Sequence, residues 1–351
     1  MPESPAHILV ETRNGSAFLP ELNLWLDPRR RKDLAFVSHA HSDHFGPHRE
    51  LICSQATRHL LKQRYRPKNT EFLGVEFGEA MPLAGHTLRL LPAGHIAGSA
   101  QLHVERDADG ASLLYTGDFK LRPGFAAETS EWRYADTLIM ETTFGWPQYR
   151  LPPADEVMAA MVAFARETLA GGGFPVFLAY SLGKAQEILL GLHRLAPEFS
   201  FCLHPAAARM TEAVGSLGYE FPPFQEADPK KMADSDPTGL VHIQPPMGRR
   251  AAALGPWKQA RFAMVTGWAL DKSARYRYGV DAAFALSDHA DYDDLLRCVE
   301  SRVRPRRVIT LHGFAREFAN DLRARGWEAW SLEGGDQMEF PLFSPTPTPE
   351  G

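Results

Sequence analysis

Cysteine is scarce in this chain of 351 residues: Cys53, Cys202 and Cys298 are the only three, far apart and without a CxxC spacing. That argues against a disulfide framework and against a thiolate-held zinc ion. Long hydrophobic runs are missing as well. Stretches such as Phe174 to Tyr180 fall far short of the ~20 apolar residues that span a bilayer. Positive charge is in slight deficit, with 38 Lys and Arg against 43 Asp and Glu and a net charge of −5. A chain-wide basic footprint for nucleic acid is therefore absent, and any polyanion site has to be local. No repeat of solenoid period is visible, and the N-terminus lacks the basic start and apolar run of a signal peptide. A cytoplasmic protein is the expectation. The residues that are plentiful, 44% hydrophobic with 28 Gly and 27 Pro, make the composition of a folded protein rather than a disordered one.

The first half is a series of short β-rich runs closed by Gly, Pro or His: Asn23 to Leu26, Leu34 to Ser38, Leu88 to Leu91, Gln101 to Glu105, Leu113 to Thr116 and Thr137 to Met140. After Pro147 and Leu151-Pro152-Pro153 the texture changes. Apolar spacing predicts a helix over Asp155 to Ala170, then a buried strand over Pro175 to Tyr180, a helix over Lys184 to Leu195 and a strand over Phe262 to Thr266. The last part reads as a helix (Tyr292 to Ser301), a strand (Val308 to Leu311) and a helix (Glu317 to Arg325). Residues 148–275 thus look like an insertion into a discontinuous domain made of 1–147 and 276–343. The Pro-Thr tail at 344–351 reads as disordered.

The densest chemical signal is Ser38-His39-Ala40-His41-Ser42-Asp43-His44, directly after a predicted strand. Residues two apart in an extended segment point the same way, so His39 and His41 can reach one ion together. Asp43 and His44 fall in the turn beyond and can serve a second. Further ligand candidates end other strands: His95 in Ala93-Gly94-His95, Asp118 in Thr116-Gly117-Asp118, and His312 before Gly313. A carboxylate has two oxygens, which makes Asp118 the natural shared ligand. Imidazole with carboxylate suits zinc, with manganese the second choice and iron not excluded by ligand type. The remaining histidines (His7, His48, His59, His86, His103, His193, His204 and His242) have no partner at ligand spacing and read as surface or hydrogen-bonded core residues. His204, before Pro205, is the one of these held open.

At these residues the sequence resembles the metallo-β-lactamase-fold hydrolases. The HxHxDH run, the Gly-His, the Gly-Asp and the C-terminal His match that superfamily's metal motifs in order. The resemblance implies an α/β fold, an αββα sandwich, with two divalent metal ions. His39, His41, His95 and Asp118 resemble the ligands of the first, and Asp43, His44, Asp118 and His312 those of the second. Asp27 matches the early aspartate that supports the site from outside. Glu141 in Met140-Glu141-Thr142, His289 in Asp288-His289-Ala290 and His312 resemble the three motifs of the β-CASP nucleases, and Ser181-Leu182-Gly183-Lys184 resembles the helix start inside their inserted domain. Tracts such as Thr143 to Arg150 and Ser287 to Asp291 look closest to the bacterial ligase-associated DNA exonucleases, which are linked with an ATP-dependent DNA ligase and a helicase in the DNA damage response.

The activity this resemblance implies is that of a DNA exonuclease of DNA repair, hydrolysing phosphodiesters with a hydroxide activated by the metal pair. Asp43 orients the nucleophile, His289 protonates the leaving oxygen and Glu141 tunes His289. Ser181, Gly183 and Lys184 are candidates for contacting substrate phosphate at a helix start. A P-loop is excluded, because no Gly lies five residues before Gly183 and Ala185 stands where Ser or Thr is required. Short basic runs at Arg29 to Lys32, Arg249-Arg250 and Arg302 to Arg307 are candidates for a strand track. The alternative is an RNA-processing β-CASP ribonuclease of the RNase J or mRNA 3′-end-processing kind, because histidine at the third motif is typical of those enzymes. A small-ester hydrolase of the same fold and a non-catalytic scaffold are the remaining rivals.

Overall fold

A computed structural model describes residues 7–13, 15–227, 239–246 and 259–332. Arg249-Arg250 and the 344–351 tail lie outside the described residues. The fold is mixed α/β, and three sheets organise it.

The first sheet runs in sequence order, β1 (Glu11–Arg13), β2 (Ser16–Leu19), β3 (Leu24–Leu26), β4 (Leu34–Phe36), β5 (Glu50–Ser54) and β6 (Glu71–Val75). Helix α1 (Gln55–Tyr65) joins its last two strands, and Ser54 caps it by accepting the Thr57 N–H. The second sheet starts with β7 (Ala80–Leu83), β8 (His86–Pro92), β9 (Ala100–Arg106), β10 (Ser112–Tyr115) and β11 (Thr137–Glu141).

The chain then leaves to build a third sheet of parallel strands. Along it come α2 (Ala154–Ala170), β12 (Phe174–Leu178), α3 (Lys184–Leu195), β13 (Ser200–Leu203), α4 (Pro205–Gly215), β14 (Phe224–Glu226), β15 (Leu240–Gln244), β16 (Ala260–Val265), α5 (Ala274–Tyr278) and β17 (Ala282–Phe284). The last strand lies beyond position 275, so this sheet outruns the insertion boundary read from the sequence. The chain returns through α6 (Tyr292–Arg297), prolonged by a π turn over Cys298–Val303, to β18 (Arg307–Leu311), α7 (Ala315–Ala324) and β19 (Glu328–Ser331). β18 pairs in parallel with β11, Thr137 opposite Arg307 through Glu141 opposite Leu311, as though nothing had intervened.

The first two sheets meet face to face: Leu26, Phe36 and Ile52 pack with Leu90, Leu102, Leu113 and Ile309. Leu60 and Leu61 of α1 and Met210 and Val214 of α4 cover the outer side of the first sheet at Leu51 and Cys53. Leu295 of α6 with Phe318 and Leu322 of α7 covers the second at Leu114, Leu138 and Val308. Each such buried Leu, Ile or Phe contributes about 1.5–3 kcal/mol. Strands β10 and β11 are sandwiched on both faces, which is why they read as unbroken apolar runs.

This layering sets the site. β3, β4, β8, β10, β11 and β18 all deliver their C-terminal ends to one rim, and Asp27, His39, His95, Asp118, Glu141 and His312 stand at those ends. The same geometry removes one expected track. Arg302 to Arg307 enter β18 from its opposite end, about 15 Å of strand away, and Arg306 and Arg307 are paired with Asp136 and Glu328.

Candidate metal centre

Four imidazoles and one carboxylate converge at the rim. His39 Nε2 lies 3.0 Å from His41 Nδ1, and His95 Nε2 lies 3.2 Å from the same atom. Zn–N bonds of ~2.0–2.1 Å place tetrahedral ligand atoms about 3.3 Å apart, so these three nitrogens have the spacing a single ion needs. Asp118 Oδ2 sits 3.3 Å from His44 Nε2, 3.7 Å from His39 Nε2 and 3.8 Å from His95 Nε2. It faces both sides of the cluster, as a shared ligand must. The closest sets of donor atoms, all within 4.8 Å, are His39–His41–His95, His39–His44–Asp118 and His95–Asp118–His289.

The nitrogen of each ring that does not face the cluster is held by a partner. His39 Nδ1 meets Ser38 Oγ at 2.9 Å, and His44 Nδ1 meets Asp27 Oδ2 at 3.0 Å. His41 Nε2 bonds the Leu182 carbonyl at 3.1 Å, and His95 Nδ1 bonds the Asp288 carbonyl at 2.9 Å. Such partners fix the tautomer and aim the ring, which is the arrangement metal-ligating histidines require. Asp27 is the hub of this outer layer. Nearly buried, it accepts from the Ser38 N–H and Oγ–H, the Tyr115 hydroxyl and His44.

Electrostatics agree with the donor chemistry at three of the four imidazoles. Burial holds His39, His41 and His95 below the ordinary imidazole range, His95 at about 3. All three are thus neutral, the form that coordinates metal. His44 goes the other way: burial opposes its proton, but Asp118 and Asp27 outweigh burial and raise it. Burial likewise opposes ionisation of Asp118, and the surrounding imidazoles overcome it, led by His44.

The remaining sequence candidates are less tightly gathered. Asp43 is largely exposed, its Oδ2 3.8 Å from His44 Nε2. His312 adopts a left-handed backbone, φ 61°, and its ring centroid is 6.0 Å from that of His44. Neither belongs to the closest donor sets, whereas His289 does. His289 Nδ1 is also bonded to both oxygens of the buried Glu141 at 2.9 and 3.0 Å. Glu141 further accepts from the Phe119 N–H and the Thr143 hydroxyl.

The helix-start candidates take other roles. The Lys184 ammonium is buried and donates to Asp288 Oδ1 at 2.8 Å and the Leu286 carbonyl at 3.0 Å. The Gly183 N–H is taken by Gln186, and Ser181 offers its carbonyl to the same side chain. An open phosphate contact is therefore replaced by an internal brace between α3 and the loop bearing His289. Gly183 itself is dictated by space: its φ is +88°, and a Cβ there would lie 2.2 Å from Ile96 Cγ2, beside His95. Gly183→Ala is expected to lower stability by about 1–3 kcal/mol; an unchanged urea midpoint would refute that reading. His204 caps α4, its Nδ1 accepting the Ala206 N–H, which gives it a structural role.

Sequence reading did not assign Ser38, Tyr115 or the two orienting carbonyls. Ser38 and Tyr115 lie within three residues of ligand candidates, a signal that was available. A carbonyl carries no residue identity, so none existed for Leu182 and Asp288.

No family model matches the chain. It is 46% identical over 331 residues to a protein of Opitutus terrae named "Probable DNA ligase", covering 94% of this chain and 32% of that protein. It is 24% identical to the mouse "DNA cross-link repair 1A protein" (86% of this chain, 30% of the mouse protein) and 24% identical to the "RNase J-like protein" of Methanocaldococcus jannaschii (80% and 81%). The chain thus spans less than a third of the length of the first two relatives. A crystal structure of a protein of unknown function from Enterococcus faecalis V583 shares the fold, with a TM-score of 0.55 at 14% identity over 86% of this chain and 80% of that one. Among the described residues no helix is long and apolar enough to cross a membrane.

Proposed function

We propose that the chain is a metal-dependent phosphodiesterase of the metallo-β-lactamase fold with a β-CASP insertion, acting as a DNA exonuclease in repair. The observation that carries this reading is the convergence of His39, His41, His44 and His95 on Asp118, each ring held from behind by a dedicated partner. The helix–sheet–sheet–helix layering, with the cluster at the strand ends, supports the αββα sandwich. The relatives named for DNA cross-link repair and RNase J support a nucleic-acid strand as substrate. A segment like this chain inside a longer Opitutus polypeptide named "Probable DNA ligase" supports a DNA ligase as partner; its ATP dependence and a helicase rest on family resemblance alone.

His39, His41 and His95 would hold one ion, Asp43, His44 and His312 a second, and Asp118 both. Two divalent ions, zinc or manganese, would lower the pKa of water and offset charge on phosphoryl oxygens. The chain's own part is proton delivery and ring alignment. Burial opposes a charge on His289, but Glu141 and then Asp118 overcome it and raise the ring to about 10. It therefore carries a proton at neutral pH. With Nδ1–H given to Glu141, Nε2–H is the proton available to the leaving oxygen. His289→Ala is expected to lower kcat by about 10²–10⁴-fold with bound metal unchanged. Metal lost together with turnover would move His289 into the ligand set.

The test of the function is digestion of end-labelled single-stranded DNA, duplex DNA and RNA of one sequence by zinc- or manganese-loaded protein, with Asp118→Ala as control. Progressive shortening of DNA from one end is expected. Preference for RNA would establish the second reading, favoured by His312 and by the extent of the RNase J-like match. Cleavage of neither would refute both.

A further inference from the structure

We infer that two exposed aromatic faces at the ends of a run of rings through the metal centre, Tyr180 and Trp146, stack bases of the bound strand, so that the strand must be unpaired there. The inference rests on the phosphodiesterase reading and adds what selects the strand. Rings run through the site without a break. Tyr180 lies 6.3 Å from His41, His41 5.0 Å from His95, His95 4.6 Å from His289 and His289 6.2 Å from Phe144, centroid to centroid. Phe144 is buried and carries Tyr149 at 5.4 Å. Tyr149 packs on Phe314 at 5.3 Å, and Phe314 on Trp146 at 5.9 Å with the planes 37° apart. Trp268 closes this group, 5.2 Å from Tyr149.

The rings at the two ends of the run are open to water: Tyr180 is 46% exposed and Trp146 41%. Phe314 packs against Trp146, which limits the freedom of the indole, so less is lost when a flat partner lands on it. With ions bound, the centre on this run of rings would draw an anion, and the Arg29 side chain, bonded to the Asp43 carbonyl at 3.2 Å, brings positive charge to the same rim. Flat π-faced groups attached to a phosphate backbone are nucleobases, and aromatic side chains beside a phosphate path are how sequence-tolerant single-strand binders hold them. A base inside a duplex already has its neighbours as stacking partners. It reaches these rings only by leaving the helix, which makes the arrangement selective for unpaired strand.

The test is anisotropy titration of a labelled single strand, the same strand with abasic sites and a duplex, using full-length protein in an Asp118→Asn background that cannot turn the strand over. The ordinary single strand is expected to bind about tenfold tighter than the abasic strand. Adding Trp146→Ala or Tyr180→Ala should remove most of that difference, mainly by weakening the ordinary strand. Trp146→Phe should restore it and so exclude misfolding. Equal binding of ordinary and abasic strands, equal weakening of both by the alanine variants, or a preference for duplex would overturn the inference while leaving the phosphodiesterase reading intact. A wild-type, metal-loaded protein that cuts none of the three substrates would remove that reading and the inference with it.

Discussion

Asp118→Ala is expected to reduce phosphodiester cleavage by at least about 10³-fold and to bring bound metal below one ion per chain. The outer partners of a metal site cost ~10–100-fold when removed; Asp118 stands inside that layer. Its Oδ2 lies within 3.8 Å of the Nε2 atoms of His39, His44 and His95, so no other carboxylate among the described residues faces both halves of the cluster in this way. An alanine leaves the imidazoles aimed at a space with no shared negative ligand, and neither half keeps its full set. Inductively coupled plasma measurement of metal per chain, alongside cleavage of a labelled strand, checks both parts. Retention of two ions and a tenth of the turnover would refute the bridging assignment.

Asp27→Ala is expected to be the most destabilising single change at the site, by about 3–5 kcal/mol in the metal-free protein. Four donors lose their acceptor at once, in a region where each stranded polar group costs about 1–3 kcal/mol before relaxation. Asp27 also has φ 42°, a left-handed backbone that Asp and Asn tolerate and Ala does not. Asp27→Asn separates the two effects. It keeps the backbone and one acceptor oxygen but turns an NH₂ group towards donors, so an intermediate loss of stability is expected, with metal affinity down by ~10–100-fold through misaimed His44 and Ser38. Urea midpoints of the chelator-treated variants and a competition titration with a zinc dye measure the two quantities. Equal midpoints for wild type and Asp27→Ala would refute the hub role.

The histidine–aspartate cluster was legible because its chemistry is written in residue type. Three histidines and an aspartate within six positions after Leu34–Phe36 have few other uses, and His95 and Asp118 likewise close strands. Strands β10, β11 and β18 were legible because burial on both faces makes them continuous apolar runs. β6 and β7 were not. Glu71–Val75 and Ala80–Leu83 are half exposed, carry Gly74 and Pro82, and alternate too weakly to stand out. The α1 and α4 helices hold apolar residues at helical spacing, yet short polar interruptions hide them. Lys184 misled for a physical reason. A lysine after a glycine at a helix start suggests a phosphate, and only the fold reveals that Asp288, more than a hundred residues later, already holds its charge.

The two carbonyls that aim His41 and His95 come from Leu182, just after β12, and Asp288, just after β17, both within the chain's long excursion between β11 and the return to β18. Capture of any ion at this cluster would therefore be thermodynamically linked to the seating of that excursion. If an occupied centre steadies the Leu182 and Asp288 loops by some factor, then whatever steadies those loops must tighten the ions by the same factor. A nucleic-acid strand lying across both parts would meet that condition, and its arrival would raise metal occupancy at limiting metal concentration rather than merely use it.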